Sequence, residues 1–244
     1  MTAHRDRGWD GDADAFGVGG AILLGDLLLS WTDEMVRSSD LPADRVLAGL
    51  PYLDLMRTEV AAGQYLDLVS QVEGSGSEEQ ALRVVRYKAA KYTVERPLHL
   101  GGALAGAGPG LLQAYTAYGL PVGEAFQLRD DVLGVFGDPA ATGKPAGDDL
   151  REGKRTVLVA RTLAAASPSQ EAAFRRRFAA ADLGAADLEL LRDLIVETGA
   201  LAAVETLIDE RVDRADAALA RAPLDAEARS ALAELAYAAT HREL

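Results

Sequence analysis

The chain of 244 residues contains no cysteine and only three histidines. Disulfide bridges and thiolate chemistry are therefore excluded, and the scattered histidines do not indicate a metal site. Aromatic residues make up only 6% of the chain, which favours helices over a β-sandwich. Since alanine and leucine are abundant instead, composition alone predicts an all-α protein.

Positive charge is also scarce, because 25 lysines and arginines face 38 acidic residues and leave a net charge of -13. Nucleic acids and anionic membranes need a dominant positive field, so we expect neither as a partner. The first residues lack the apolar core of a signal peptide. The most apolar stretch, residues 16–31, is interrupted by Asp26 and is expected to be too short to span a bilayer. These patterns predict a soluble, cytoplasmic protein that does not span a membrane.

Apolar residues at spacings of three and four predict a chain of helices and one core, in a single domain covering residues 1–244. Pro97 should kink or stop its helix, and Pro121 should either separate two helices or interrupt one. The sequence Ser-Pro-Ser-Gln from Ser167 predicts a helix start with serine as the cap. In the first part of the chain, the pattern predicts a buried helix at 16–37, a second helix at 43–72 and a third at 82–106.

The stretch RDDVLGVFGDPAATGKPAGDDLREGKRT, residues 129–156, concentrates charge of both signs. On a helix, Gln127, Asp130 and Asp131 share one face. Beyond it, Lys144 and Lys154 each follow a glycine, which lets the backbone approach an oxyanion. Carboxylates that hold Mg²⁺ beside lysines that hold phosphate are typical of a Mg²⁺-diphosphate site. A phosphate-binding P-loop is excluded by the spacing, whereas a solvated charged loop remains the alternative.

This stretch resembles the second aspartate-rich region of the trans-prenyl (polyprenyl) diphosphate synthases. The segments GAILLGDLLLSW, EVAAGQYLDL and RYKAAKYTVERPLHLGGALAGA resemble successive upstream segments of the same family, and the resemblance is strong from Gly8 to Ala160. It implies an all-α, isoprenoid synthase-type helical bundle around a central cavity. It also implies Mg²⁺-dependent condensation of an allylic diphosphate with isopentenyl diphosphate.

The resemblance also implies roles for individual side chains. Asp130 and Asp131 would hold Mg²⁺, and Asp130 would act in catalysis together with Lys88 and Gln127. In KAAKYT, Lys88 matches the lysine of the family's Lys-Thr pair, although alanine replaces the threonine. The residues expected to bind the substrate diphosphate are Gln64, Lys88, Lys144 and Lys154.

The chain departs from the family pattern in two places. Gly134 replaces the last aspartate of the second D-D-x-x-D motif, which implies a Mg²⁺ ion held less firmly. The first aspartate-rich motif does not occur between Met1 and Gln64, so we expect the N-terminal helices of the family bundle to be missing. Apolar helices without that cover would favour a homodimer or association with a full-length synthase.

The leading hypothesis is therefore a trans-prenyl diphosphate synthase, similar to those that make geranylgeranyl diphosphate. The alternative is a non-catalytic relative that binds diphosphate or a full-length partner. A terpene cyclase that shares the fold is a third reading, although the two Gly-Lys pairs resemble the synthase pattern.

Overall fold

Helices are the only regular secondary structure in residues 2–73, 76–138, 147–180 and 182–241, which are the residues that the computed structural model describes. This confirms the predicted all-α class. The helices are α1 (Thr2–Asp6), α2 (Ala13–Arg37), α3 (Ala43–Glu73), α4 (Glu78–Val84), a π-helix (Val85–Glu95), α5 (Arg96–Ala105), α6 (Pro109–Phe136), α7 (Asp148–Glu152), α8 (Val157–Ala165), α9 (Pro168–Arg177), α10 (Ala185–Glu197), α11 (Ala200–Arg221) and α12 (Ala226–Thr240).

The chain divides into two compact units, residues 1–47 and residues 48–244. In the first unit, the Asp12 side chain caps α2 by accepting hydrogen bonds from the backbone of residues 14 and 15. The rings of Trp9 and Phe16 pack edge to face with centroids 5.4 Å apart. The prediction that one domain covers the whole chain stays a prediction.

The apolar helix α2 is exposed, so the prediction of a buried helix at 16–37 is wrong in its burial. Leu23 is 70% exposed and Met35 is 67% exposed. Val36 is the buried residue of this helix. The periodicity identified a helix correctly, but an apolar pattern does not specify which surface, if any, covers that helix.

By length and composition α2 could cross a bilayer, which corrects the expectation that the apolar segment is too short. The helix has 25 residues. At about 1.5 Å per residue it is longer than the hydrocarbon core of about 30 Å. One such helix is weak evidence of a span, because the core helix of a soluble protein meets the same criteria.

The second unit is organised around α6, whose residues Leu128, Val132 and Val135 are buried in the main core. This core also contains Leu158 of α8 and Ile195 of α10. Since those side chains fix one face of α6, the polar residues of its C-terminal half are held toward a different surface. Pro121 lies inside α6 without ending it, so the structure has one helix where the sequence left one or two.

A π-helix separates α4 from α5 within one uninterrupted run of helical residues. The backbone N–H of Arg96 donates to the carbonyl of Lys91, which is the five-residue spacing of a π-helix. Pro97 stands at the first turn of α5, immediately after the π-helix. A missing N–H is tolerated there, because an i→i+5 pattern is giving way to an i→i+4 pattern. At Pro97, where the sequence predicted a kink or a stop, the helix changes from the π type to the α type.

Two glycines bring neighbouring helices onto the π-helix. A side chain at Gly63 of α3 would collide with the backbone of Lys88, and a Cβ at Gly123 of α6 would lie 2.5 Å from the Cα of Ala90. Both helices therefore pack backbone to backbone against the π-helix.

Two of the C-terminal helices, α11 and α12, contact α6 directly. Ser167 and Gln170 form the predicted capping box at the start of α9, where the serine hydroxyl accepts from the Gln170 backbone N–H. Arg129 of α6 donates to both oxygens of Glu205 of α11, at 2.7 and 2.6 Å. This ion pair fixes α11 along α6.

Candidate active site

An acidic cavity of about 190 Å³ lies at the C-terminal half of α6. Its polar lining comes from α3, the π-helix, α6 and the segment from α7 to α8. The residues that carry charge or amide groups into it are Asp67, Lys88, Gln127, Asp130, Asp131, Asp149, Lys154 and Arg155. Four carboxylates thus share a small space with three cations.

Lys88 is the cation on the π-helix side of the cavity. Its Nζ atom donates to the Asp67 carboxylate at 2.5 Å. Gly63 stands one helical turn before Asp67, so the close packing of α3 on the π-helix brings these two side chains together. The Lys88 side chain is 35% exposed, which leaves its ammonium group within reach of a ligand.

Asp131 is the most confined carboxylate, with only 7% of its surface exposed. The Gln127 side-chain amide donates to it at 2.8 Å, one helical turn away. Burial is the largest of the causes that raise the pKa of Asp131 to about 8; the charges of Asp149 and Asp130 act in the same direction, and the hydrogen bond from Gln127 opposes them. A divalent cation would relieve that repulsion by stabilising the ionised form.

Gly134 continues the acidic face of α6 by one turn and carries no side chain. The Asp149 carboxylate occupies the space that a Cβ at position 134 would need. Lys154 donates to this carboxylate and also lies 3.1 Å from Glu152. Burial would lower the pKa of Lys154, but its ion pairs raise it, so the ammonium group stays charged.

The backbone of α7 explains how Asp149 reaches α6. Gly147 and Gly153 flank this short helix in the left-handed conformation, with φ of 71° and 72°. A side chain at either position would be strained, so both glycines permit the sharp turns that bring α7 back to α6. The Lys154 backbone N–H closes the second turn on the Asp149 carbonyl at 3.0 Å.

The donors of the cavity are of the type that Mg²⁺ prefers, since carboxylate oxygens are its usual protein ligands. Within the described ranges, however, no three histidine, aspartate or glutamate side chains are grouped closely enough to hold a metal ion. The carboxylate donors and the raised pKa of Asp131 nevertheless fit a divalent cation. The described residues thus supply carboxylates of the type that binds Mg²⁺, but not a preformed coordination shell.

The structure brings together five of the predicted site residues: Lys88, Gln127, Asp130, Asp131 and Lys154 all line the acidic cavity. Gln64 does not line it and its side chain is exposed. Lys144 lies outside the described residues. The roles proposed for these seven side chains stay predictions.

Two further carboxylates of the cavity were not predicted as site residues. Asp67 belongs to the EVAAGQYLDL segment and stands three residues after Gln64, yet Asp67 is buried whereas Gln64 is exposed. Asp149 lies in the charged stretch at residues 129–156 but was given no role from the sequence. The loss of a side chain at position 134 was the available signal, because a glycine on an acidic helix face suggests close approach by another group.

The model of the family described as polyprenyl synthetase matches residues 4–193. The chain belongs to the polyprenyl synthetase family. The solved geranylgeranyl pyrophosphate synthase of Corynebacterium glutamicum, complexed with isoprenyl diphosphate and magnesium, is 42% identical. It superposes with a TM-score of 0.95 over 99% of this chain and 68% of that one. This likeness confirms the predicted isoprenoid synthase fold.

Curated relatives in this polyprenyl synthetase family carry different product names. The geranylfarnesyl diphosphate synthase of Aeropyrum pernix is 32% identical over 89% of this chain and 68% of its own length. The farnesyl diphosphate synthase of Mycobacterium bovis is 35% identical over 66% of this chain and 43% of its own length. The chain thus spans about two thirds or less of the length of these relatives. That it lacks the family's N-terminal helices stays an expectation.

Proposed function

We propose that the chain is a trans-prenyl diphosphate synthase, similar to geranylgeranyl diphosphate synthases, which condenses an allylic diphosphate with isopentenyl diphosphate in the presence of Mg²⁺. The observation that carries this proposal is the acidic cavity, where Asp130, Asp131 and Asp149 lie with Lys88 and Lys154. Membership of the polyprenyl synthetase family supports it.

Each side chain of the cavity has a role that follows from its charge. Asp130 and Asp131 would hold Mg²⁺, which supplies positive charge to the diphosphate as it leaves. Lys154 and Lys88 would donate hydrogen bonds to the diphosphate oxygens, and both ammonium groups are partly exposed to the cavity. A diphosphate becomes a good leaving group when fixed cations meet the charge that develops on it.

The existing ion pairs keep those cations in place before substrate binds. Lys88 rests on Asp67 and Lys154 rests on Asp149, so each lysine has a carboxylate partner within the cavity. A bound diphosphate competes with these carboxylates for the same ammonium groups. Because the lysines are already positioned, less side-chain entropy is lost when the substrate arrives. Gln127 orients the Asp131 carboxylate in the same way.

The activity is tested by incubating the purified chain with Mg²⁺, isopentenyl diphosphate and allylic diphosphates of several lengths. A longer prenyl diphosphate supports the proposal, and its absence from the parent chain under all primers contradicts activity of this chain alone. Asp130→Ala and Lys154→Ala should abolish Mg²⁺-dependent diphosphate binding in calorimetry while the helical circular dichroism signal is retained. Asp193→Ala and Arg176→Ala remove exposed charges outside the cavity and are the matched controls.

A second candidate function is a non-catalytic subunit that binds diphosphate and associates with a full-length synthase. The exposure of α2 favours it, because a long apolar helix is stabilised when another chain covers it. Two results together would support the second function over the first. Product should form only after a full-length relative is added, and the Asp130→Ala variant of this chain should support that reaction as well as the parent does.

A further inference from the structure

A second cavity, of about 420 Å³, is lined by residues of the π-helix, α6 and α11. It shares no lining residue with the acidic cavity, so it is a separate feature of the molecule. Four arginines line it, and we call it the arginine groove: Arg86, Arg211, Arg214 and Arg221. Glu124 is the acidic residue of its lining.

Glu124 does not neutralise the groove. One of its carboxylate oxygens accepts from the Arg86 Nε–H at 2.8 Å, and the other accepts from the Arg211 Nε–H at 2.6 Å. The carboxylate is therefore shared between two arginines, and its side chain is only 5% exposed. Four arginines against one glutamate leave a local surplus of positive charge in a chain whose net charge is -13.

Arg214 and Arg221 are the accessible arginines of the groove, and both are exposed. Within the described part of the chain neither forms an ion pair with a carboxylate. Glu210 stands four residues before Arg214, which is the spacing of a helical ion pair, yet the two side chains do not pair. Both guanidinium groups thus retain their hydrogen-bond donors.

The spacing on α11 aligns these side chains with the groove. Arg211, Arg214 and Arg221 follow one another at intervals of three and seven residues, which places them along one face of the helix. Small and apolar side chains, among them Leu120 of α6 and Ala217 of α11, form the rest of the lining. This lining suits a ligand that has an anionic end and an apolar carbon portion.

We propose that the arginine groove binds a phosphorylated small organic molecule. Arg214 and Arg221 hold its phosphate oxygens, because the planar guanidinium group donates two parallel hydrogen bonds to such an anion. Its carbon portion lies against Leu120 and Ala217. A cavity of this size accommodates a small ligand of that kind. The site is independent of the proposed catalytic function, since it uses none of the acidic cavity.

Calorimetric titration in EDTA tests the groove, because the carboxylates of the acidic cavity repel a diphosphate when Mg²⁺ is removed. The probes are an isoprenyl diphosphate and inorganic diphosphate. The parent should bind the isoprenyl diphosphate more tightly, and added salt should weaken both. The double variant Arg214→Ala/Arg221→Ala should lose about tenfold or more in affinity, which corresponds to about 1.4 kcal/mol.

The double variant Arg175→Ala/Arg176→Ala removes the same charge from exposed positions on α9 and should bind like the parent. Lys154→Ala should also retain binding in EDTA, which separates the groove from the acidic cavity. Equal losses in both arginine double variants, or a loss confined to Lys154→Ala, would overturn the proposal. So would the absence of binding to the parent, or equal affinity for the two probes. Circular dichroism and the thermal midpoint establish that each variant is folded.

Discussion

The carboxylate of Asp149 fills the space that a side chain at Gly134 would require. Gly134 stands where the family's second aspartate-rich motif ends in an aspartate, so the resemblance alone implies a weakened site. In the structure, a carboxylate from α7 lies next to that position and is paired with Lys154. The absent side chain on α6 makes room for a carboxylate supplied by another helix.

Gly134→Ala should therefore destabilise the protein. In an open helix this change stabilises by about 1 kcal/mol, but here the added methyl group collides with Asp149, and overpacking costs about 1–3 kcal/mol. Denaturant unfolding measures the difference. In the Asp149→Ala background the same substitution should be neutral or stabilising. Gly101→Ala is the control, because a Cβ on that helical glycine meets nothing within 4 Å.

Asp131→Asn should stabilise the Mg²⁺-free protein increasingly as pH rises. The folded-state pKa of Asp131 is about 8, above its ordinary value of 3.8. Between about pH 4 and 8 the folded state therefore keeps a proton on Asp131 that the unfolded state has lost. The stability that this protonated group contributes is fully present below about pH 4 and is lost as the pH rises through about 8. Thermal unfolding in EDTA at several pH values between 5 and 9 measures this difference.

Mg²⁺ should favour the parent over Asp131→Asn, which is the opposite of the order of stability expected in EDTA. The ionised carboxylate of the parent is the proposed ligand, so saturating Mg²⁺ should raise the thermal midpoint of the parent more than that of Asp131→Asn. A stability difference that stays constant from pH 5 to 9, with and without Mg²⁺, would contradict the burial of an ionisable group at this position.

Gly63→Ala should be more harmful than Gly134→Ala. Its Cβ would meet the backbone of Lys88 rather than a side-chain carboxylate, so α3 must shift away from the π-helix. We expect a loss of about 2–3 kcal/mol in unfolding free energy. Since the Asp67 to Lys88 ion pair depends on that contact, Mg²⁺-dependent diphosphate binding in calorimetry should weaken as well. Unchanged stability would show that the two helices do not touch at Gly63.

Glu124→Gln should destabilise the protein by about 3 kcal/mol, because the Arg211 side chain is only 12% exposed and would lose its charged partner. Arg86 is half-exposed and contributes less, since water screens its charge. Glu79→Gln breaks an exposed ion pair with Arg83 and should change stability by less than about 0.5 kcal/mol. Chemical denaturation of both variants compares the two sites, and equal effects would contradict the burial of Glu124.

The sequence by itself determined the helical class, the start of α9 at Ser167 and the grouping of Gln127, Asp130 and Asp131. These features depend on composition, caps and spacing within one helix, which local physics fixes. It also pointed to Lys88 and Lys154 through a family pattern. The predicted burial of α2 was wrong, because an apolar pattern specifies a helix but not the surface that covers it.

Only the tertiary structure decided which distant residues meet. Asp67 reaches Lys88 because Gly63 allows two backbones to touch, and Asp149 reaches α6 because Gly134 leaves a space there. The change to a π-helix around Lys88 likewise has no signature in the residue pattern. Contacts between residues far apart in sequence depend on how helices pack, and periodicity within one helix does not encode that packing.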